Sequence, residues 1–481
     1  MLLRLINTLF ARKRRTQLPD ASSRATEELA VRGSALGADG TARAVVRVQV
    51  GAAADPRNLA VEGHQELRSA ALLQSHYLER TSPEALFELH VRYGRMLEAE
   101  AAPFVLPPRA IDADPDRRLR IGYVSPNFAD HSVSYFFEPV LSRHDRSAFE
   151  VRCYHTGPYR DDTTARIAGS ADAWLDSYEL SDDALARRVA ADGVDILVDL
   201  AGHTQFGRPG VFARRPAPVQ MTWLGYPDTT GLASIDYRVT DGIADPPCAD
   251  VRHTERLVRL PPPFLVYQPP ADAPAVAARD EAADVVFCSF NTLQKVNDAV
   301  IALWSRVIKA VPDSRMLIKG GRLLDEPEAA QRLRNAFAAQ GIDAARVELY
   351  GWIENRAEHL ALYGRADVAL DTFPYHGTTT TCEAMWMGVP VVTLAGEAHM
   401  SRVGASLLTA VGLGELVAGT ADEFVDIAVS LARDATRRRA QRAALRPRMA
   451  ASKLLDHAGF TRNLEAAMRT AWTAWCATAA R

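Results

Sequence analysis

The stretch Asp371-Thr372-Phe373-Pro374-Tyr375-His376-Gly377-Thr378-Thr379-Thr380-Thr381-Cys382-Glu383 carries the densest set of chemically capable groups in this chain. It follows the apolar run Val368-Ala369-Leu370, which reads as a buried strand. It leads into Ala384-Met385-Trp386-Met387, a helix closed by Gly388 and Pro390. Four threonines therefore sit where a helix begins. Their hydroxyls, the free backbone N–H groups and the positive end of the helix dipole converge there on an anion. Glu383 lies one turn beyond Thr379 on the same face, within reach of sugar hydroxyls. The combination reads as a nucleotide-diphosphate site.

A second candidate is Lys295, which follows the apolar run Val285–Phe290 in a chain where only five of 56 basic residues are lysine. An ammonium at a strand end can hold a diphosphate and stabilise it as a leaving group, although loop lysines are ordinarily just solvated. His131 lies in the turn after the strand Leu119–Ser125, where it could act as a general base, hydrogen-bond a sugar, or simply cap a loop. His203 ends the strand Val194–Leu200 at the same topological edge. Gly225 and Tyr226, in a Gly/Pro/Thr loop, offer sugar or acceptor contacts, and an ordinary turn explains them nearly as well. Asp195, Asp199 and Asp241 have no metal-site spacing, so no metal is expected.

These groups need a scaffold, and the sequence supplies an alternation of apolar runs and helical patterns typical of parallel α/β sheets. Four regions are expected. Residues 1–60 read as poorly structured or weakly helical, and 61–116 as a helical remnant and linker. A Rossmann-like half spans 117–280, and a second, nucleotide-binding half with terminal helices spans 281–481. A proline-rich break at Leu260–Pro274 separates the halves, so ligands are expected in a cleft at the carboxyl ends of the strands. Neither GxGxxG nor GxxxxGK[ST] follows a first strand. The net charge of −3 offers no basic field for nucleic acid. No apolar run reaches the roughly 18 residues of a membrane span. The basic cluster Arg12–Arg15 after a short apolar start does not read as a signal peptide. Five scattered cysteines without CxxC spacing fit a reducing cytoplasm.

The ordered motifs Arg120-Ile121-Gly122-Tyr123-Val124-Ser125, His131–Phe136, Gly202-His203-Thr204, Arg215–Gln220, Trp223–Pro227, Phe290–Lys295 and Asp371–Glu383 resemble the SPINDLY/O-GlcNAc transferase family, glycosyltransferase family 41 of fold type GT-B. The resemblance implies two Rossmann-like domains facing across a cleft. It implies inverting, metal-independent transfer of a single sugar from a nucleotide sugar to Ser or Thr hydroxyls of proteins, with no cofactor. By position, Lys295 resembles the lysine on the donor diphosphate and His359 the histidine on the nucleobase. Thr378, Thr379 and Thr380 resemble the phosphate loop, and Glu383 the acid on the ribose. Asn291, Arg356, Gly225 and Tyr226 complete the expected nucleotide-sugar contacts, and His131 and His203 line the acceptor side. UDP-GlcNAc is the favoured donor.

This sequence also departs from the family pattern. Gly377-Thr378 stands where animal O-GlcNAc enzymes have Gly-His, Gln294 replaces an aromatic residue, and Arg356 replaces a lysine. Those choices resemble plant SPINDLY, which uses GDP-fucose. No tetratricopeptide period of about 34 residues precedes residue 100. A nucleotide-sugar-binding partner protein and a sugar epimerase are the remaining alternatives.

Overall fold

The computed structural model describes strands at 27–34 and 43–50, and residues 65–78, 81–108, 110–279 and 284–479. β1 (Glu27–Ser34) and β2 (Arg43–Val50) form an antiparallel pair in which Glu27 faces Val50. These two strands stand within 1–60, where the sequence reads as poorly structured or weakly helical, while the basic cluster at 12–15 lies outside the described residues.

The first half is a sheet of seven parallel strands: β3 (Leu119–Ser125), β4 (Phe149–His155), β5 (Ala173–Asp176), β6 (Ile196–Asp199), β7 (Val219–Thr222), β8 (Tyr237–Asp241) and β9 (Arg256–Leu260). Their order is β5-β4-β3-β6-β7-β8-β9, with β3 pairing both β4 and β6. The strands read as continuous apolar runs because helices cover both faces. The second half holds β10 (Val286–Ser289), β11 (Arg315–Lys319), β12 (Val347–Tyr350), β13 (Val368–Leu370), β14 (Val391–Leu394) and β15 (Val417–Ala418), in the order β12-β11-β10-β13-β14-β15. In each sheet the strand order reverses beside the first strand, between β3 and β6 and between β10 and β13. That reversal opens a crevice at the carboxyl edge where ligands bind in open α/β sheets.

Two boundaries expected from sequence move. The helices Gln65–Ser75 and Pro83–Ala101 lie in the span expected as a helical remnant and linker, and they pack on the first half. Leu72, Leu89, Tyr93 and Leu97 share one buried cluster with Val124, Tyr154, Leu185 and Val189 of the first half. The last helix, His457–Ala479, leaves the second half and returns to the first. Its Phe460, Leu464, Met468 and Trp472 pack with Ile121, Val151, Met221 and Trp223. Trp472 also donates from Nε1 to the Asp114 carbonyl at 3.0 Å. Truncating this fully buried ring, Trp472→Ala, is expected to cost roughly 3–5 kcal/mol of stability. Urea denaturation checks it, and an unchanged midpoint would mean the helix is not part of that core.

The halves also meet directly. Ser406 donates to Asp241 Oδ2 at 2.5 Å, Arg402 Nε to the Ile243 carbonyl at 2.7 Å, and His399 Nδ1 lies 2.7 Å from Asp245 Oδ2.

Candidate functional site

The threonine loop is shaped by one buried carboxylate. Asp371, just past β13, accepts from the backbone N–H of Thr372 at 2.9 Å and of Gly377 at 2.8 Å, and from the Thr393 hydroxyl at 2.8 Å. These bonds curl the chain so that the helix Thr379–Trp386 starts at the sheet edge. A side chain at position 377 would put Cβ 2.4 Å from Thr380 Oγ1 and 2.9 Å from Asn291 Oδ1, so glycine is required by space. Asn291 ties the loop to β10 by accepting from the Thr380 hydroxyl at 3.0 Å. The Thr381 hydroxyl donates to the Gly377 carbonyl at 3.1 Å. Thr378, at the helix start, makes no side-chain capping bond. Its hydroxyl is thus left beside first-turn N–H groups that an α-helix cannot satisfy internally.

Lys295 reaches this loop from the end of β10. Its Nζ donates to the His376 carbonyl at 2.6 Å and lies 3.9 Å from the Tyr375 ring centre. Burial lowers its pKa to about 8, with Asp371 opposing the shift. The ammonium is still mostly protonated at neutral pH and sits beside a nest of N–H and hydroxyl donors, an arrangement that fits a diphosphate.

One turn along the same helix, Glu383 Oε2 accepts from His359 Nε2 at 3.0 Å. His359 itself is held against Phe290, with ring centres 5.8 Å apart. Among the described residues its Nδ1 is buried without a hydrogen bond, and so is Nη2 of Arg356, which pairs with Glu383 Oε1 only as an ion, at 3.8 Å. Arg356 also crosses the cleft. Its guanidinium lies 3.7 Å from the ring centre of Tyr135, and Tyr135 donates to Asp130 at 2.5 Å in the His131 loop. This bridge, the Asp371 scaffold and the Tyr375 contact were not legible in the sequence. All three depend on how loops separated by many residues face one another.

In the first half, the His131 loop is braced by Ser134, which donates to the Asn127 and Ala129 carbonyls at 2.8 Å, and by Asp161, which accepts from the Asp130 N–H at 2.7 Å. His131 Nδ1 accepts from the Val133 N–H at 3.2 Å. The neutral ring therefore carries its proton on Nε2 and presents a hydrogen-bond donor rather than a lone pair. Desolvation by the surrounding loop lowers its pKa, with Asp130 opposing, which favours that neutral form.

His203 and Tyr226 are corrections. His203 is fully buried, with Nε2 donating to the Thr230 carbonyl at 2.7 Å and Nδ1 3.2 Å from Ser69 Oγ. Burial, then neighbouring His90, lowers its pKa to about 3. Tyr226 is buried, with its hydroxyl 2.7 Å from His90 Nε2. The helices Gln65–Ser75 and Pro83–Ala101 cover both side chains, so both act as supports under the site. Gly225 stays at the edge as backbone, and a Cβ there would meet the Leu200 carbonyl at 1.8 Å. The aspartates are likewise spent separately. Asp195 takes a two-pronged bond from Arg117, Asp199 accepts from the Gly202 N–H and the Thr222 hydroxyl, and Asp241 accepts from Phe264 N. Among the described residues, His76, His90 and Asp228 form a buried group compact enough for a metal ion, with the His76 ring 6.4 Å from that of Tyr375 in the threonine loop. There His76 Nε2 lies 3.1 Å from Asp228 Oδ2, and each histidine's Nδ1 is within 3.0 Å of a carbonyl of its own helix.

Comparison with known proteins places this geometry. Residues 95–270 and 276–464 match the family described as Glycosyl transferase family 41. The chain is 41% identical over 418 residues to the probable UDP-N-acetylglucosamine–peptide N-acetylglucosaminyltransferase SPINDLY of Hordeum vulgare, covering 84% of this chain and 43% of that protein. It is 25% identical to the UDP-N-acetylglucosamine–peptide N-acetylglucosaminyltransferase of Caenorhabditis elegans, covering 74% of this chain and 41% of that one. It therefore spans less than half the length of these relatives. A solved mutant of the O-GlcNAc transferase of Thermobaculum terrenum superimposes with a TM-score of 0.82 at 41% identity, covering 86% of this chain and 78% of that one. The two facing parallel-sheet domains are a GT-B fold, and the chain belongs to glycosyltransferase family 41.

Proposed function

We propose that the protein is an inverting, metal-independent glycosyltransferase that moves one sugar, most readily GlcNAc from UDP-GlcNAc, onto Ser or Thr hydroxyls of proteins. The observation carrying this reading is the meeting of Lys295 with the threonine loop at the carboxyl edge of β10 and β13. An ammonium, first-turn N–H groups and the hydroxyls of Thr378 and Thr379 can neutralise a departing nucleoside diphosphate, the task a divalent cation performs elsewhere. Asn291 holds the loop, Glu383 takes the ribose and His359 the nucleobase, and Arg356, from the same half, closes over the sugar toward Tyr135. The acceptor hydroxyl attacks the anomeric carbon from the side opposite the diphosphate, near His131; the bond to the diphosphate oxygen breaks as the new one forms, and the hydroxyl proton is released to water. There the imidazole N–H orients the sugar or acceptor rather than removing the proton. The relatives' names support the UDP-GlcNAc donor and a protein acceptor. The unpaired state of all five cysteines supports a reducing, cytoplasmic setting.

GDP-fucose is the second reading, favoured by Thr378 at the loop position where animal enzymes carry histidine. Mass spectrometry of proteins co-expressed with the full chain tests both. A HexNAc increment on Ser or Thr supports the first reading and a deoxyhexose increment the second. No increment from any donor, with nucleotide binding retained, would leave a nucleotide-sugar-binding partner protein.

A further inference from the structure

The surroundings of Lys295 include side chains that belong to neither sheet. Tyr375 of the threonine loop lies against the ammonium, with Nζ 3.9 Å from its ring centre. Tyr77 stacks on that same ring, at 5.3 Å between centres and 17° between planes. His76 meets it edge-on at 6.4 Å. His76 and Tyr77 form the turn after the helix Gln65–Ser75, where their N–H groups donate to the Leu73 and Gln74 carbonyls at 3.2 and 3.1 Å. That helix packs on the first half, whereas Lys295 and Tyr375 follow β10 and β13 of the second. Tyr77 also precedes residue 95, where the match to the family begins. It belongs to none of the three buried apolar clusters, so a core does not account for its ring.

The stack has a consequence for the charge beside it. Two rings in contact exclude water from the side of the ammonium that Tyr375 covers, and the His376 carbonyl accepts its hydrogen bond. An aromatic face tolerates a cation better than an aliphatic wall does, because its quadrupole is negative there. A charge so stripped of water acts on a diphosphate with less screening. Desolvation is the leading cause of the lowered Lys295 pKa, and Asp371 opposes it. The other titratable groups around it stay neutral: burial lowers the pKa of His376, raises the Tyr375 phenol well above its ordinary value and raises Tyr77 to about 12. His76 is turned to Asp228 at 3.1 Å.

We infer that Tyr77 is a positioning residue of the donor site: by holding Tyr375 against Lys295 it keeps the ammonium dehydrated and aimed at the threonine loop. This rests on the reading of that loop as a diphosphate site, and it makes the N-terminal helical segment part of donor binding.

Calorimetric titration of the full chain with UDP and with inorganic pyrophosphate, across the range where a lysine titrates, tests it. The proteins compared are the unmodified chain, Tyr77→Ala, Tyr77→Phe, Lys295→Arg, and Tyr77→Ala combined with Lys295→Arg. Tyr77→Ala is expected to fold, because the side chain lies outside the buried clusters. In the unmodified protein affinity is expected to fall as pH passes about 8. In Tyr77→Ala water reaches the ammonium, so the fall is expected to move upward by about one pH unit, toward the ordinary lysine value. Affinity at neutral pH is expected to drop about two- to tenfold, the size of a coupling between touching residues. Tyr77→Phe keeps the stacked ring and is expected to match the unmodified protein. On the Lys295→Arg background, Tyr77→Ala is expected to move no midpoint, since a guanidinium does not titrate there. The ligands' own ionisation is common to every arm and cancels in the comparison. A lower melting temperature in Tyr77→Ala with an unmoved midpoint would reduce Tyr77 to a support of the fold and overturn the assignment. A shift that persists without Lys295, or an equal shift in Tyr77→Phe, would overturn it too. Those outcomes leave the diphosphate reading standing, whereas failure of the unmodified protein to bind either ligand at any pH would overturn both.

Discussion

Lys295→Ala is expected to lower kcat for sugar transfer by about 10²–10³-fold, the cost of removing one donor from developing negative charge. The fold is expected to survive, because the ammonium's contacts are one carbonyl, at 2.6 Å, and one ring face. Steady-state kinetics with a thermal melt as control checks both parts. Activity within a few-fold of the unmodified protein would remove Lys295 from the diphosphate site.

The pH dependence carries a sign. The folded-state pKa of Lys295 is lowered from 10.5 to about 8, so the protonated form is disfavoured by folding. That penalty is fully present below pH of about 8 and is relieved as pH rises toward 10.5. Ligand binding runs the other way, since a diphosphate needs the charge. Diphosphate affinity is therefore expected to fall as pH passes about 8, earlier than for an ordinary lysine. Lys295→Arg is expected to flatten that fall while keeping part of the affinity, because a guanidinium stays charged but is forked rather than compact. An unaltered pH profile in that variant would assign the titration to another group.

Asp371→Ala should produce the largest combined loss of stability and donor binding. Its carboxylate accepts from two backbone N–H groups and one hydroxyl, all buried, at 2.8–2.9 Å. Removing it strands these donors at about 1–3 kcal/mol each, so a total of roughly 3–5 kcal/mol is expected after relaxation. The same bonds curl Gly377 toward Thr380, so nucleotide affinity should fall with stability. Differential scanning calorimetry in the presence and absence of UDP separates the two effects. A variant that melts normally and still gains stability from UDP would show that the loop keeps its shape without Asp371.

The sequence made the strand ends legible because apolar runs stop abruptly where the chain turns to Asn, Thr, Gly and Lys. On that ground alone Lys295 and the threonine loop fall at one sheet edge, with a solvated loop lysine an equal reading. Glu383 and His359, 24 residues apart, meet at 3.0 Å in the structure. Local pattern could not say what covers a strand end. His203 and Tyr226 end or follow strands as an active-site group would, yet the two N-terminal helices close over them. Those helices show apolar spacing but not the surface they seek. The same holds for Trp472, whose helix follows the second half in sequence and packs on the first. Arg356 reads as a phosphate-region charge. Its place over Tyr135 exists only once both halves are set face to face.

The returning C-terminal helix has a mechanical consequence. The chain crosses between the halves twice, once through the proline-rich segment after β9 and once before His457, where the Tyr267 N–H donates to the Leu454 carbonyl at 2.9 Å. Two crossings side by side, together with the Ser406–Asp241, Arg402–Ile243 and His399–Asp245 contacts, fasten the halves at several points. Opening the cleft would part Arg356 from Tyr135, and it would also part Tyr375 of the threonine loop from Tyr77, whose rings stack at 5.3 Å. A change in the spacing of the halves is thus felt at both ends of the site, at Arg356 through Tyr135 and at Lys295 through Tyr375.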